Sequence, residues 1–570
     1  MAKIIKPSET LISKLEISEL NKKLKAIKIH PTVGVDKFAL ALKKINPHAL
    51  LPFDKLPLEV RESIKSLNNE TKRFHGAKIS LSWFPFRMRF SPCSDKFGYL
   101  TSATVRQSSK LDFNVVTISL MNQLGDLMGN PGRDVGGNLL SPAPNDSNIP
   151  SGYTYFGQFV DHDITLDVSS SMDVSTDATT INNMRSPSLD LDNVYGRGPA
   201  LDPFLYEFPS SSPSTAIKLK LGTNQNNGNG GPSTSGGGPA GMTTKTNFDV
   251  PRISGTNTAV IGDPRNDENL FIAQFQMAML RFHNAVVDLV VASGFTGDIF
   301  VESKKIVTHH YQWAVVNDYL KRICGATVVT NAVGSVTAPV GSAFIMPVEF
   351  SVAAYRFGHS LIRDRYWINH NFINEPLSQA FNFVRNPNLP VRSNWVVDFN
   401  AFFPTGVPVP VFNNARKIDT LLANGLESLP GGSGIMAMLA TRNLRRGLAL
   451  GLPTGQATAV ALGLTPMTNA QLLSGLDAAE TTLLNSNGSL LLNKTPLWYY
   501  ILREAAVLGS GNNLGPVGGK IVAETFVKML KRDIDSYLNK TGGFLPFLPS
   551  DVANDFTVTD LIKFSGVNLP

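Results

Sequence analysis

The stretch Phe156-Gly157-Gln158-Phe159-Val160-Asp161-His162-Asp163 gathers groups able to do chemistry in an apolar setting. As a helix it puts Gln158 and His162 on one face, four residues apart. A neutral imidazole beside an amide in such a place suits proton abstraction from a small bound acid. An ordinary buried histidine is the competing reading. Asp163 must face elsewhere, toward a cation on the outer side. A cation is also what Ser186-Pro187-Ser188-Leu189-Asp190-Leu191-Asp192 suggests, since oxygen-bearing side chains alternate at 186, 188, 190 and 192. Hard cations such as calcium take loop oxygens of this kind. The spacing is not that of an EF-hand, and a solvated acidic turn is the alternative.

Further along, Ile261-Gly262-Asp263-Pro264-Arg265-Asn266-Asp267-Glu268 opens an apolar helical stretch. Arg265 is either part of a helix cap with Glu268 or a fixed positive charge over a reacting oxygen. Tyr355-Arg356-Phe357-Gly358-His359-Ser360 places a histidine within another apolar stretch, where most histidines are satisfied core residues. Gly358 would let a flat macrocycle approach the backbone closely. In Arg442-Asn443-Leu444-Arg445-Arg446-Gly447, Asn443 can hydrogen-bond the outer nitrogen of a metal-bound imidazole, and Arg446 can meet an anion. A solvated basic face explains the same residues equally well.

The elements that must position these groups are helical. Apolar spacing predicts helices over Asn269–Ala292, Val348–Tyr366, Met436–Leu450, Leu497–Val507 and Gly519–Leu538. Thr327–Val333 reads as a short strand, and Asn130–Gly152, rich in Gly, Pro and Asn, as a loop. Residues 1–75 read as a polar helical extension, and residues 76–570 as one domain. Within that domain, a Gly/Asn/Ser-rich insertion at about 222–244 has too little apolar surface to order itself. No period of solenoid length repeats, so the fold class is mainly α with few short strands.

The order of these motifs along the chain resembles the animal-type haem peroxidases of the peroxidase–cyclooxygenase superfamily, especially the bacterial members. Matching pieces run from Tyr155 to Gln456, with another at Thr495-Pro496-Leu497-Trp498-Tyr499-Tyr500. The resemblance implies a helical domain with haem b between a distal and a proximal helix. It matches Gln158 and His162 to the distal pair, Arg265 to the catalytic arginine, His359 to the iron ligand and Asn443 to the residue orienting it. It matches Asp163, Ser186, Ser188, Asp190 and Asp192 to a calcium site, with position 188 giving at least its carbonyl. Asp161 and Glu268 match the carboxylates esterified to haem in mammalian members, which implies covalent attachment through either or both. Arg356 and Arg446 match residues beside the cofactor, the latter meeting a propionate. The residue after Glu268 is Asn269, not methionine, so no sulfonium link is expected. The family's Arg-Asp-His-Gly stretch is replaced by Leu448-Ala449-Leu450-Gly451.

The activity this resemblance implies is that of a peroxidase, reducing hydrogen peroxide and oxidising halides (bromide, iodide) or phenols through a ferryl porphyrin radical. Two alternatives stand beside it. A fatty-acid dioxygenase or cyclooxygenase on the same scaffold would need a tyrosine three residues before His359, where Arg356 stands. A peroxinectin-like adhesion module would have lost the activity, yet the distal set is intact. The net charge of +7 comes with lysines spread among apolar and acidic residues near the N-terminus, so nucleic acid is not an expected partner. Cys93 and Cys324 are too few and too far apart for a disulfide framework or a zinc site. No apolar run reaches the length of a transmembrane helix, and no standard secretory leader opens the chain, which leaves cytoplasmic residence and leaderless secretion both open. Oligomeric state and the physiological donor are not legible.

Overall fold

The computed structural model describes residues 95–129, 141–208, 218–224, 248–384, 389–430 and 432–567, together with a pair of short strands at Lys72–Phe74 and Ala77–Ile79. The chain divides into two compact units, Met1–Phe74 with Lys78–Asp95, and His75–Ala77 with Lys96–Pro570. The first lies almost wholly outside the described residues, as do the expected N-terminal helices and most of the Gly/Asn/Ser-rich insertion.

The second unit is helical. In chain order its main helices are α1 (Val115–Met128), α2 (Gly152–Ile164), α3 (Leu270–Ala292), α4 (Ile299–Ala314), α5 (Leu439–Ala449), α6 (Leu497–Leu508), α7 (Pro516–Arg532) and α8 (Val558–Ser565). Strands come only as short pairs. Lys96–Gly98 (β1) runs parallel to Ile345–Pro347 (β3), and Asp146–Pro150 (β2) runs antiparallel to Asn414–Arg416 (β4). The strand β2 lies within the stretch expected to be loop. The stretch Thr327–Val333, expected as a strand, is instead inside a helix, Ala326–Ser335. Its valines bury one face against α7, and tertiary packing overrides their β preference.

α2 is buried along every residue except Gln158. A helix apolar on all sides belongs at a centre, and α2 packs on α3 through Phe156 and Phe159, both against Phe275. Each such buried aromatic contributes about 1.5–3 kcal/mol relative to exposure. α3 starts where the Asn269 side chain accepts from the Ile272 N–H, and α4 and α8 cover its other faces. α5 crosses α1 at Gly125, where a Cβ would stand 2.8 Å from the Thr441 Cα, so only glycine allows the approach. That crossing sets the position of Asn443 on α5.

The segment expected as a helix over Val348–Tyr366 is not a regular one. A π turn at Glu349–Ala353 runs into a 3-10 turn at Ala354–His359, and Arg365–Tyr366 is already a strand. The break falls at Ala353 (φ −123°, ψ −73°), and beyond it Arg356 Nε donates to the Ser351 carbonyl. Side-chain bonding to the backbone competes here with the helical ladder. α6 and α7 pack on this turn and hold it.

Candidate active site

Gln158 and His162 do share a face of α2, and both turn toward Pro264–Asp267, the 3-10 turn that leads into α3. Gln158 Nε2 donates to Glu268 Oε1 at 2.6 Å, and the same carboxylate oxygen lies 3.8 Å from His162 Nε2. His162 is fully buried, and its Nδ1 lies 2.7 Å from Asn266 Oδ1. Burial first, and the Arg265 charge second, push its pKa down to about 3, so the ring is neutral across ordinary pH.

Arg265 is fully buried too. Its Nη2 donates to the His162 carbonyl at 2.8 Å, and its Nε and Nη2 pair with Asp263. Asp263 also takes Arg185 and caps the turn by accepting from the Arg265 N–H. Despite its burial, these two guanidinium groups hold the Asp263 carboxyl far below its ordinary range. The capping role weighed for Glu268 belongs to its neighbours instead: Asp263 caps the turn and Asn269 caps α3.

The second histidine stands at the end of the turn Ala354–His359. Burial, then the charges of Arg356 and Arg442, keep the His359 pKa well below its ordinary value. The Asn443 amide lies 2.6 Å from His359 Nδ1, and the Trp498 ring stands edge-on to the imidazole at 6.4 Å. Nothing lies within 4 Å of where a Gly358 Cβ would be. Gln158, Glu268, Arg356, Gly358, His359, Asn443 and Arg446 are all partly exposed, whereas Asp161, His162 and Arg265 are buried. An ion pair ties the two histidine segments together, with Arg356 Nη1 3.2 Å from Asp161 Oδ2. Asp161 also accepts from Thr165 Oγ1 at 2.8 Å. Arg446 pairs at 3.1 Å with Asp167, just beyond α2.

On the far side of α2, Asp163 turns outward to meet Asp190 and Asp192, with one carboxylate oxygen from each within 4.8 Å of the others. Asp163 is fully buried, and burial with the two neighbouring carboxylates raises its pKa well above the ordinary value. Tyr311 donates to it at 3.2 Å, and Arg185 Nη1 approaches Asp192 at 3.3 Å. Leu189 and Leu191 both adopt positive φ (51° and 59°), which turns alternate side chains of the loop inward. The two serines stand differently. The Ser186 N–H donates to Asp192 at 3.4 Å, while Ser188 Oγ and its carbonyl accept from Arg532 and Gln312.

Several residues of this site went unassigned in the sequence. Asp263 and Asn266 lie inside a motif singled out for Arg265, but their partners Arg185 and Gln276 are on other elements. No local spacing reveals such pairs.

A family model described as animal haem peroxidase matches residues 170–542. The chain belongs to the animal haem peroxidase family. The match begins just after α2, so His162 lies outside it and His359 and Asn443 inside. A "Peroxidase-like protein" of Margaritifera margaritifera is 34% identical over 113 residues, which span 18% of this chain and 14% of that protein. Among solved structures, peroxidase A from Dictyostelium discoideum superposes with a TM-score of 0.55 at 16% identity, covering 85% of this chain and 96% of that one. The fatty acid alpha-dioxygenase of Oryza sativa gives 0.51 at 12% identity, covering 90% of each chain. That of Arabidopsis thaliana also gives 0.51 at 12%, covering 97% of this chain and 91% of that one. At these identities the likeness shows the fold. The mainly α architecture expected from the sequence is the one observed. No helix among the described residues is long and apolar enough to cross a membrane.

Proposed function

We propose that this haem peroxidase family member binds haem b through His359 and uses hydrogen peroxide to oxidise small donors such as bromide, iodide or phenols. The observation that carries the reading is a partly exposed, neutral imidazole whose Nδ1 meets the Asn443 amide, beside a glycine with open space at its Cβ position. The residues present fit the group: a neutral ring is the ligating form, and glycine leaves room for a flat macrocycle. When bound, haem supplies an iron at which the O–O bond of peroxide is cleaved and from which oxidising equivalents pass to a donor.

The chain's own residues divide the remaining work. Asn443 Nδ2 stands 2.6 Å from His359 Nδ1; turned over, the amide would present its oxygen and accept from Nδ1–H, fixing the tautomer that leaves Nε2 for the iron and raising the ring's basicity. His162 Nε2 accepts the first peroxide proton and returns it to the departing oxygen. Arg265, held against Asp263 and the His162 carbonyl, brings fixed positive charge to the distal side without reorganising. Gln158 holds Glu268 beside His162. Asp161 and Glu268 are the carboxylates that would form ester links to haem, Arg446 is the cation that would meet a propionate, and Arg356, paired with Asp161, would stand beside the cofactor. Asp163, Asp190 and Asp192 hold Ca2+, with Ser186 and Ser188 as further oxygens. Three mutually repelling carboxylates, two of them buried, call for such a cation.

The dioxygenase alternative is disfavoured because the position three before His359 is Arg356, engaged with Asp161 and Ser351. The test is a haem titration of the purified chain. A Soret band that shifts with peroxide, and is lost in His359→Ala, is the expected result. Colour kept on the protein through acidic organic extraction would assign the ester links. Absence of a Soret band from haem-treated protein overturns the reading. Haem uptake without peroxide-dependent guaiacol oxidation would favour an adhesion role, and fatty-acid turnover the dioxygenase.

A further inference from the structure

The distal histidine has a buried support that its motif does not announce. His162 Nδ1 lies 2.7 Å from Asn266 Oδ1; Asn266 Nδ2 donates to Gln276 Oε1 at 2.7 Å; Gln276 Nε2 donates to the Asn193 carbonyl at 3.5 Å. Asn193 Nδ2 in turn donates to the Phe159 carbonyl at 3.2 Å, on the same helix as His162. The chain of bonds therefore leaves α2 at His162 and returns to it at Phe159. His162, Asn266, Gln276 and Asn193 are each wholly buried, so water cannot substitute for any link.

Direction is what gives this chain its meaning. An amide can turn either way, and an imidazole has two neutral tautomers, so no single link fixes anything. A backbone carbonyl, however, can only accept. The Asn193 carbonyl, 3.5 Å away, favours the NH2 of Gln276, which leaves the Gln276 oxygen facing Asn266. Asn266 must then present its own NH2 to Gln276, and so its oxygen to His162. An oxygen opposite Nδ1 requires a proton on Nδ1. The lone pair is thereby left on Nε2, the nitrogen on the side of Glu268.

We propose that Asn266 is a positioning residue, and Gln276 its support, which together lock His162 in the Nδ1–H tautomer and so make Nε2 the proton acceptor. The proposal rests on the peroxidase reading for its use, but not for its first test. When Nε2 takes a proton, the Nδ1–H bond to Asn266 remains, so the cation forms without rearrangement of its surroundings. The lock also makes the base available in one form rather than as a mixture.

The test is nitrogen-15 NMR of histidine-labelled full-length protein without haem, with the His162 signals assigned through His162→Gln. The expected pattern is a pyrrole-type Nδ1 and a pyridine-type Nε2. Asn266→Leu should admit the other tautomer, Gln276→Leu should do so in part by letting Asn266 turn, and Asn266→Asp, which keeps an oxygen opposite Nδ1, should retain the parental pattern. An Nε2–H tautomer in the parent, or an unchanged tautomer in Asn266→Leu, overturns the proposal. In haem-loaded protein, Asn266→Leu should slow the bimolecular peroxide step by ten-fold or more, with Asn266→Asp restoring most of it. An equal rate in Asn266→Leu overturns the catalytic use of the lock. A parent chain that takes up no haem would sink the peroxidase reading alone, and the tautomer result would stand apart from it.

Discussion

At the scale of single residues, Arg265 carries two burdens that a single substitution would confuse. It neutralises Asp263 inside the protein, and it supplies the charge proposed to act on peroxide. Removing it leaves Asp263 buried with Arg185 as its remaining cation. Arg265→Ala should therefore lower stability by about 3–5 kcal/mol in urea unfolding, the usual cost of breaking a buried pair from one side. It should also slow the peroxide step by roughly 10²–10³. Arg265→Lys keeps the charge and loses the planar fork, so it should recover stability more fully than rate. Stopped-flow rates equal to the parent in a folded Arg265→Ala would remove Arg265 from the chemistry.

At the scale of elements, two contacts fix how loops dock on helices. The acidic loop docks on α2 through Asp163, Asp190 and Asp192. If it holds calcium, Ca2+ at one hundred times its Kd should stabilise the fold by about 2.7 kcal/mol and raise the thermal midpoint accordingly. Asp190→Asn should abolish most of that response, and a midpoint indifferent to both Ca2+ and chelator would count against the site. The other contact is His310 on α4. Its Nδ1–H donates to the Ile306 carbonyl at 2.8 Å, while Nε2 accepts from the N–H groups of Phe547 and Leu548. Phe544, Phe547 and Phe556 enclose the ring, and burial pushes its pKa down from 6.5 to about 4. A base whose folded pKa lies below its unfolded one stabilises above pH 6.5 and loses that stability as pH falls to 4. Between those limits the loss should reach roughly 3 kcal/mol. Stability measured against pH should be flatter over that window in His310→Leu, and parallel curves would refute the assignment.

At the scale of the whole molecule, Asp318 links parts far apart in sequence. Its Oδ2 accepts from the Tyr153 hydroxyl at 2.6 Å, near the start of α2, and from the Val558 N–H at 2.9 Å, at the start of α8. α8 then packs on α3, with Phe564 and Phe556 against Phe282. Asp318→Leu strands both donors and should cost about 2–6 kcal/mol, at about 1–3 for each unsatisfied group. Chemical denaturation reads this directly. If the cost falls on the whole unit, haem affinity and helical signal should be lost together rather than in separate steps.

The helical class and the limits of α3, α5 and α6 to within a few residues were legible in the sequence. These are local matters. An apolar repeat says which face is buried, and an asparagine before it says where the helix begins. The sequence also determined that Asp163 and His162 look in different directions, since neighbours on a helix must. The rest was settled by how the elements pack. The segment carrying His359 is a π turn and a 3-10 turn rather than a helix, because α6 and α7 pack on it and Arg356 bonds its backbone. The valines of Ala326–Ser335 became helical for a similar reason. Above all, the partners of Asp263 and of Asn266 come from elements distant in sequence, and a hydrogen bond or ion pair between distant elements leaves no period in the chain. A buried polar group states only that it needs a partner; which one it finds is settled by how the helices pack.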